Sequence, residues 1–337
     1  MIRVALAGLG DIAAQAHLPA LLRSPRIEVA ALADPDPDRR AAAARLAPGA
    51  AAYDGLAPVL ADPSIPAVVL ATPPWITTGL VRDALAAGKY VLAEKPLGTS
   101  LAEVRKLADL PHDRLQVGLT YRHDPALDRL RTWIADGLLG SPLLIRAQIY
   151  DEPRAADGPY ARRMRATLDH GPPVVHEGAH LFDWLAFLLG GPPSGVADAW
   201  ALATEPGLGS PNLGGARLTW PDGTTAVTEF GWWTDALPRC AVGVLGADGY
   251  AELDGLTFDL ELRTRDETRA ARFPGDRTTR SFDRQLDRFA DLAAGRTDRA
   301  VPGLAEGLAG LELSERIVAM ARGRDDQGGS RTYGGDA

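Results

Sequence analysis

The sequence has little cysteine, no long apolar run and no excess of basic residues. Its one cysteine, Cys240, cannot form an internal disulfide and offers no cysteine cluster for structural zinc. No apolar run approaches the roughly 20 residues that a membrane-spanning helix needs. A net charge of -8 and a pI near 5.3 disfavour nucleic acid, because phosphate binding requires a basic surface. We therefore expect neither a membrane nor a nucleic-acid partner.

The amino-terminal residues are apolar but run directly into a glycine loop. They lack the charged leader, apolar core and cleavage site of a signal peptide. A hydrophobic content of 46% and a charged content of 24% are those of a globular protein. The sequence thus predicts a cytoplasmic protein, and its 337 residues are long enough for two domains.

Short apolar runs alternate with helical patterns in the first third of the chain. Strands are predicted over 2–7, 27–33, 67–71, 90–93 and 115–119, and helices over 12–22, 39–46 and 77–87. This alternation is typical of a parallel sheet covered by helices on both faces. It predicts an α/β Rossmann domain over residues 1–122.

The pattern changes after residue 122. An irregular stretch rich in Pro, Arg and Asp reaches residue 173, and antiparallel strands separated by turn signals follow over 196–262. Helical patterns cover 282–294 and 304–321. We expect residues 123–322 to form an α+β domain with a mostly antiparallel open sheet, and residues 323–337 to form a disordered tail.

A glycine-rich motif joins the first predicted strand to the first helix. It reads Gly8-Leu9-Gly10-Asp11-Ile12-Ala13. The first glycine permits a tight turn, the second lets the backbone approach a pyrophosphate, and the small Ala13 lets helix and strand pack closely. A pyrophosphate would lie at the helix N-terminus, so the motif predicts a nicotinamide dinucleotide site.

Asp34 ends the second predicted strand. A carboxylate there can accept hydrogen bonds from ribose hydroxyls and repels a 2′-phosphate, which favours NAD(H) over NADP(H). Arg39 and Arg40 are close enough in sequence to weaken this preference, so NADP(H) stays an alternative. The purely structural interpretation is that Asp34 caps the following turn.

Two further segments follow strands at their carboxyl ends, where ligands bind to open α/β sheets. One contains Thr72 and Pro73, and the other is Glu94-Lys95-Pro96. A lysine beside the cationic nicotinamide would have a lowered pKa and could act as a general acid/base. The alternative is that Lys95 simply pairs with Glu94 or another carboxylate.

Together these motifs resemble the Gfo/Idh/MocA family of oxidoreductases, named for glucose-fructose oxidoreductase and inositol dehydrogenase. The resemblance covers nearly the whole chain, including 87–97, 121–125, 178–183 and 281–294. It implies an NAD(P)-dependent dehydrogenase or reductase acting on a secondary hydroxyl or ketone of a sugar, cyclitol or related polyol. It also implies a substrate-binding second domain and a homodimer or homotetramer.

The resemblance implies roles for individual side chains. Lys95 matches the lysine that transfers a proton to or from the substrate oxygen, and His180 matches a histidine that assists it. Asp183 matches an acid that contacts substrate or steadies the pocket. Tyr121 and Arg122 match positions on the substrate side of the cleft.

The sequence departs from the family pattern at two positions. His176 stands where an acid often precedes the histidine in D-x-G-x-H, and Thr77 stands where a histidine is common. If the segment is one helix, His176 and His180 share a face, which makes His176 a further catalytic candidate. The run His-Glu-Gly-Ala-His also matches a zinc-motif spacing, but Gly178 and the dehydrogenase signature favour an accidental match. No metal is predicted.

Other residues have plainer interpretations. His17 is expected to be a packed helix residue. The tryptophans are assigned to core, sheet packing or a subunit face, with stacking on a substrate ring as the alternative: Trp75, Trp200, Trp232 and Trp233. The basic run 162–165 is a solvated loop or a lid for an anionic substrate. Two other functions stay open, namely elimination or epimerisation through transient oxidation, and a non-catalytic dinucleotide-binding regulator.

Overall fold

The computed structural model describes residues 1–237 and 240–328. The chain forms two compact units, of which the first combines Met1–Asp128 with Pro274–Gly310. The second unit begins with Arg129–Phe273 and resumes at Leu311. The predicted division into two consecutive domains at residue 122 is therefore incomplete, because residues 274–310 also belong to the first unit.

The first unit is built on a six-stranded sheet of order β3-β2-β1-β4-β5-β6. Its strands are β1 (Ile2–Ala7), β2 (Ile27–Ala33), β3 (Ala51–Tyr53), β4 (Ala67–Leu70), β5 (Tyr90–Glu94) and β6 (Leu115–Gly118). All neighbouring strands are parallel. This is the strand order of a Rossmann domain, so the predicted fold class is confirmed. The short strand β3 was not predicted.

The helices around this sheet are short. They are α1 (Leu18–Arg23), α2 (Pro37–Leu46), α3 (Ala57–Ala61), α4 (Pro74–Ala86) and α5 (Leu101–Arg105). The next helix, α6 (Pro125–Ala135), begins in the first unit and continues into the second. A π-helix over Ala13–His17 precedes α1, and 3₁₀ turns lie at Lys106–Asp109, His112–Arg114 and Thr120–His123. The predicted first helix over 12–22 is thus a π-helix continued by an α-helix.

Helix α10 (Arg277–Ala293) explains why residues 274–310 belong to the first unit. Phe282, Leu286 and Phe289 follow one another at helical spacing, and each is at most 3% exposed. These side chains share a core with Val4 and Leu6 of the central strand. Burial of such apolar surface fixes the helix on the sheet although it lies far away in sequence.

Replacing Asp276 by alanine should lower the free energy of unfolding by about 1 kcal/mol at neutral pH, because Asp276 caps α10. Its carboxylate accepts the Thr279 N–H at 2.8 Å, and this bond holds the pKa of Asp276 below its usual value. A depressed folded pKa gives stability above the unfolded value that is lost as pH falls through the folded one. Urea unfolding at neutral pH and at a pH well below the ordinary aspartate pKa measures this loss.

Asp276→Asn is the matched control for this prediction, since asparagine caps helices nearly as well. It should keep most of the stability at neutral pH. An alanine variant as stable as the parent would contradict the assigned cap.

The second unit contains an eight-stranded sheet of order β14-β13-β12-β11-β7-β10-β9-β8. Its strands are β7 (Leu144–Pro153), β8 (Gly195–Leu202), β9 (Leu213–Thr219), β10 (Thr225–Thr234), β11 (Ala241–Leu245), β12 (Gly249–Asp254), β13 (Leu260–Thr264) and β14 (Thr268–Ala271). Only β7 and β10 are parallel among the paired strands described. The predicted mostly antiparallel sheet is confirmed.

Three helices follow β7 in the second unit, namely α7 (Gly158–Asp169), α8 (Pro173–His176) and α9 (Gly178–Leu189). The expectation of an irregular stretch up to residue 173 is wrong over α7. Ala161, Met164 and Leu168 recur at helical spacing and bury themselves against Trp232 and Trp233. The many proline, arginine and aspartate residues of this segment make its short apolar helix face hard to recognise in the sequence.

The last helix, α11 (Leu304–Gly328), extends beyond the predicted end at 321. Residues 323–328 of the predicted disordered tail are therefore helical, while 329–337 lie outside the described residues. Within residues 1–237 and 240–328, no helix is both long and apolar enough to cross a bilayer.

Candidate active site

The glycine loop after β1 has the geometry that a dinucleotide needs. Gly8 has a φ of +82°, and a Cβ at this position would lie 2.5 Å from the carbonyl oxygen of Ala71. A Cβ on Gly10 would meet nothing within 4 Å. Gly8 is thus required by the turn and by close packing, whereas Gly10 leaves open space beside the backbone. Both features fit a pyrophosphate at the start of the helix.

The other residues of the motif continue this arrangement. Ala13 is 1% exposed and packs in the core below the loop, as its small size allows. Asp11 and Ile12 begin the helical segment and are exposed. They lie where a bound dinucleotide could contact them.

Asp34 lies beside this loop at the end of β2 and is 4% exposed. Its two carboxylate oxygens accept the main-chain N–H groups of Leu9 at 2.7 Å and Asp36 at 2.8 Å. A guanidinium nitrogen of Arg39 is 3.9 Å away, and Arg40 donates to the Asp34 carbonyl oxygen at 2.6 Å. Asp34 therefore does stabilise the turn. Each carboxylate oxygen has a further lone pair with which it can accept a ribose hydroxyl.

Thr72 and Pro73 follow β4 and lead into α4. The buried Thr77 hydroxyl lies 2.8 Å from the Thr72 hydroxyl and 3.0 Å from the carbonyl oxygens of Thr72 and Pro73. Thr77 closes the first turn of α4. The threonine that replaces the family's common histidine thus has a structural role in this unit.

Glu94 and Lys95 lie at the carboxyl end of β5. One oxygen of the buried Glu94 is 2.7 Å from Nε2 of His17, and the other accepts the main-chain N–H of Lys95 at 3.1 Å. Each oxygen of this carboxylate therefore has a hydrogen-bond partner. His17 is buried as expected, but sequence reasoning missed its bond to Glu94, a residue 77 positions away.

Tyr121 and Arg122 lie in the 3₁₀ turn that follows β6. The guanidinium of Arg277 stacks over the Tyr121 ring at 4.4 Å from its centroid. The Arg122 side chain is 11% exposed and lies 3.8 Å from a carboxylate oxygen of Glu306. Both predicted substrate residues are thus fixed by partners in the first unit.

The next residue, His123, should make stability sensitive to mild acid. Burial, and then the positive charges of Arg288, Arg122 and Arg284, lower the pKa of His123 to about 4. As pH falls from about 6.5 to about 4, the unfolded chain binds a proton that the folded chain does not. Stability should therefore fall with pH across this window, which urea unfolding at several pH values measures.

His123→Gln should show a smaller loss over the same window, because it has no imidazole to protonate. His112→Gln, a surface substitution, should show the same loss of stability as the parent when the pH is lowered over this window. An undiminished loss in His123→Gln would assign the acid sensitivity to other groups.

The second unit holds His176, His180 and Asp183, which are buried at 3%, 7% and 6% exposure. His176 ends α8, and a turn at Glu177 separates it from α9. The His176 ring stacks on Trp232 at 5.3 Å, whereas the His180 ring stacks at 6.2 Å on Trp184. The two histidines are thus not on one continuous helix, and each contacts a different tryptophan.

The basic run 162–165 lies on α7, so the solvated-loop interpretation is wrong. Arg165 stacks over the Trp233 ring at 4.9 Å and lies 3.5 Å from Glu205. Arg163 lies 3.8 Å from Glu152. The first of these contacts attaches the basic helix to the buried Trp233 of β10.

The remaining tryptophans and the metal motif can also be placed. Trp232 and Trp233 are core residues, while Trp75 and Trp200 are each 37% exposed. Among residues 1–237 and 240–328, no three His, Cys, Asp or Glu side chains are grouped to hold a metal ion. The glycine within His-Glu-Gly-Ala-His packs closely, since a Cβ on Gly178 would lie 2.7 Å from the Phe182 ring.

Comparison with known proteins covers both units. A profile described as an oxidoreductase family with an NAD-binding Rossmann fold matches residues 2–119. The profile of the GFO/IDH/MocA C-terminal domain matches residues 127–252. The rhizopine catabolism protein MocA of Rhizobium meliloti is 31% identical over 258 residues, which cover 74% of this chain and 77% of that protein.

A second relative and one solved structure differ in their named reactions. An inositol 2-dehydrogenase of Corynebacterium glutamicum is 32% identical over 196 residues, 56% of this chain and 54% of that enzyme. The fold resembles KijD10, a 3-ketoreductase of Actinomadura kijaniata solved with NADP and TDP-benzene. The TM-score is 0.82 at 22% identity, and 95% of this chain and 97% of that chain are covered. The chain therefore belongs to the Gfo/Idh/MocA family of oxidoreductases, whose amino-terminal domain is an NAD-binding Rossmann fold.

Proposed function

We propose that the chain is an NAD(P)-dependent dehydrogenase or reductase for a secondary hydroxyl or ketone of a sugar, cyclitol or related polyol. The observation that carries this proposal is the position of Lys95. It follows β5 at the carboxyl edge of the parallel sheet, where Gly8 and Asp34 also lie. Its neighbour Glu94 is already engaged by His17 and by the main chain.

Bound NAD(P) supplies the hydride acceptor for oxidation and the hydride donor for reduction. In oxidation, the Lys95 amine accepts the hydroxyl proton as the carbon-bound hydrogen leaves as hydride. In reduction, the Lys95 ammonium returns that proton to the new alkoxide. Thr72, Pro73 and Glu94 would border the nicotinamide end of the cofactor, and the glycine loop with Asp34 would hold the rest.

The second unit supplies the other proposed side chains. His180 assists proton transfer, and Asp183 contacts or orients the substrate. His176 has no carboxylate charge, so it changes the polarity of the position where relatives often carry an acid. Stacking on Trp232 holds its ring in a defined orientation. On the first unit, Tyr121 and Arg122 line the substrate side.

A relative's printed name, inositol 2-dehydrogenase, supports this substrate class. The test is a screen of cyclitols, sugars and their keto forms with NAD(H) and NADP(H). The reaction is followed by the absorbance of the reduced nicotinamide at about 340 nm. Turnover of a polyol or ketose supports the proposal. Tight dinucleotide binding without turnover on any of these classes would favour a non-catalytic regulator instead.

We also propose that two or more copies associate through the open face of the second unit's sheet. Leu144 and Leu245 are paired neighbours on this face, 39% and 48% exposed, and Trp200 is 37% exposed. Light scattering should give at least twice the chain mass of 35.7 kDa. Leu144→Arg should shift the mass toward one chain, and a monomeric parent would contradict the proposal.

A further inference from the structure

Strand β10 is irregular where it reaches Trp232 and Trp233. Its pairing with β7 shifts register between Gly231 and Trp232, and again between Trp232 and Thr234. Trp233 has a φ of +61°, a backbone conformation that bulky side chains rarely adopt. Consecutive residues of a regular strand point to opposite faces, yet both tryptophans are buried in the apolar cluster of α7. The irregularity therefore places two neighbouring indoles in one cluster, as β-bulges commonly redirect side chains.

Asn212 binds both main-chain groups of Trp232. It is the only asparagine of the chain, directly precedes β9 and is 0% exposed. Its main-chain carbonyl oxygen accepts the Trp232 N–H at 2.9 Å, and its side-chain Nδ2 donates to the Trp232 carbonyl oxygen at 2.9 Å. Its Oδ1 accepts the main-chain N–H of Thr204 at 2.9 Å. Two main-chain partners, one acceptor and one donor, thus fix which way the amide of Asn212 faces.

The side chain of Trp232 also has defined partners. Its indole N–H donates to a carboxylate oxygen of Asp151 at 2.9 Å. Its ring lies against the imidazole of His176, with the centroids 5.3 Å apart and 26° between the ring planes. Stacked aromatic pairs at this separation attract each other beyond the apolar surface that they bury. Trp232 therefore connects Asn212 to His176 within the second unit.

We propose that Asn212 is a positioning residue that acts through Trp232 to set the orientation of the His176 imidazole. The two nitrogen atoms of an imidazole are distinct, and the directions in which they point depend on the rotation of the ring. Stacking on an indole that is itself fixed at its main chain and its N–H restricts that rotation. The proposal rests on the proposed function for the role of His176 at the substrate site. Its geometric claim can be measured without substrate or cofactor.

Nuclear magnetic resonance of the histidine side chains reports this geometry. The chain has six histidines, so the imidazole spectrum is simple, and His176→Gln identifies the signal of His176. An indole shields protons that lie over its face. Weakening the stack on Trp232 should therefore move the His176 signal downfield. The signal of the surface residue His112 serves as an internal reference.

Asn212→Asp keeps the size of the side chain but replaces the Nδ2 donor by an oxygen that would face the Trp232 carbonyl oxygen. The His176 signal should move downfield. With the best substrate from the screen, kcat should fall about tenfold, because small misplacements of catalytic groups cost up to about 10²-fold. KM should stay within about threefold of the parent, since the proposed role concerns the chemical step.

Thr204→Val is the matched control for this substitution. It removes a hydroxyl that accepts from Nδ2 of Asn212 at 2.9 Å, but it leaves the Thr204 N–H and both bonds to Trp232 in place. The His176 signal should keep its position, and kcat should stay within about twofold of the parent.

A double variant shows whether Asn212 acts through His176. Added to His176→Gln, Asn212→Asp should change kcat by less than about twofold, because the imidazole to be oriented is absent. A tenfold loss in both backgrounds, or an unmoved His176 signal in folded Asn212→Asp, would overturn the proposal. Asn212→Ala, which lacks the donor without opposing two oxygens, provides the same comparison if the aspartate variant does not fold. No turnover of any polyol or ketone by the parent would instead refute the proposed function and leave the resonance result standing.

Discussion

Replacing Lys95 by alanine should lower kcat/KM by about 10³-fold or more, with the best polyol or ketone found in the screen. General acid–base catalysis typically contributes about 10²–10⁴-fold, and this residue is proposed to supply the acid and the base in both directions. The dissociation constant for NADH should change by less than about threefold, because the glycine loop and Asp34 are untouched. Steady-state kinetics and fluorescence titration measure the two quantities.

Lys106→Ala is the matched control for this substitution. Lys106 is a surface lysine whose side chain is 66% exposed and pairs with Glu103. Removing it should leave kcat/KM within about twofold of the parent, since a surface ion pair contributes little. If Lys95→Ala keeps more than a tenth of the parental kcat/KM, another group transfers the proton.

The sequence predicts the first unit well because each strand ends at a recognisable turn. β1 ends at the glycine loop, and β2 ends at a Pro/Asp turn. Nothing in the order of the chain, however, indicates that α10 joins the first core. The spacing of Phe282, Leu286 and Phe289 predicts a helix with one apolar face, but that face would fit either unit. Only the packing on Val4 and Leu6 decides between them.

Some residues of the proposed site can be predicted from local sequence, whereas contacts between distant segments cannot. Gly8, Asp34 and Lys95 can be predicted as site residues because each lies at the carboxyl end of a predicted strand. The hydrogen bond between His17 and Glu94 joins two segments far apart in sequence, and no local sequence pattern predicts it. The only signal is chemical, since Glu94 ends an otherwise apolar strand and His17 lies among mostly apolar residues. Buried polar groups need partners, so each could be expected to find one.

Asp34 should determine which nicotinamide cofactor the protein prefers. The parent should bind NADH more tightly than NADPH, because the Asp34 carboxylate repels a 2′-phosphate. Arg39, 3.9 Å from that carboxylate, should moderate the difference. Asp34→Ser should weaken NADH binding by about 10–100-fold, the usual cost of losing hydrogen bonds to an ionised group. It should weaken NADPH binding much less, because the repulsion is removed at the same time.

The ratio of the two dissociation constants separates the ligand role of Asp34 from its structural role. The carboxylate also holds the N–H groups of Leu9 and Asp36, so a purely structural residue would weaken both cofactors equally when replaced. Asp36→Asn keeps the cap of α2 beside it and should leave the ratio within about twofold of the parent. A shift toward NADPH confined to Asp34→Ser would identify Asp34 as the residue that recognises the ribose. Equal losses for NADH and NADPH would limit it to supporting the glycine loop, and cofactor choice would then depend on Arg39 and Arg40.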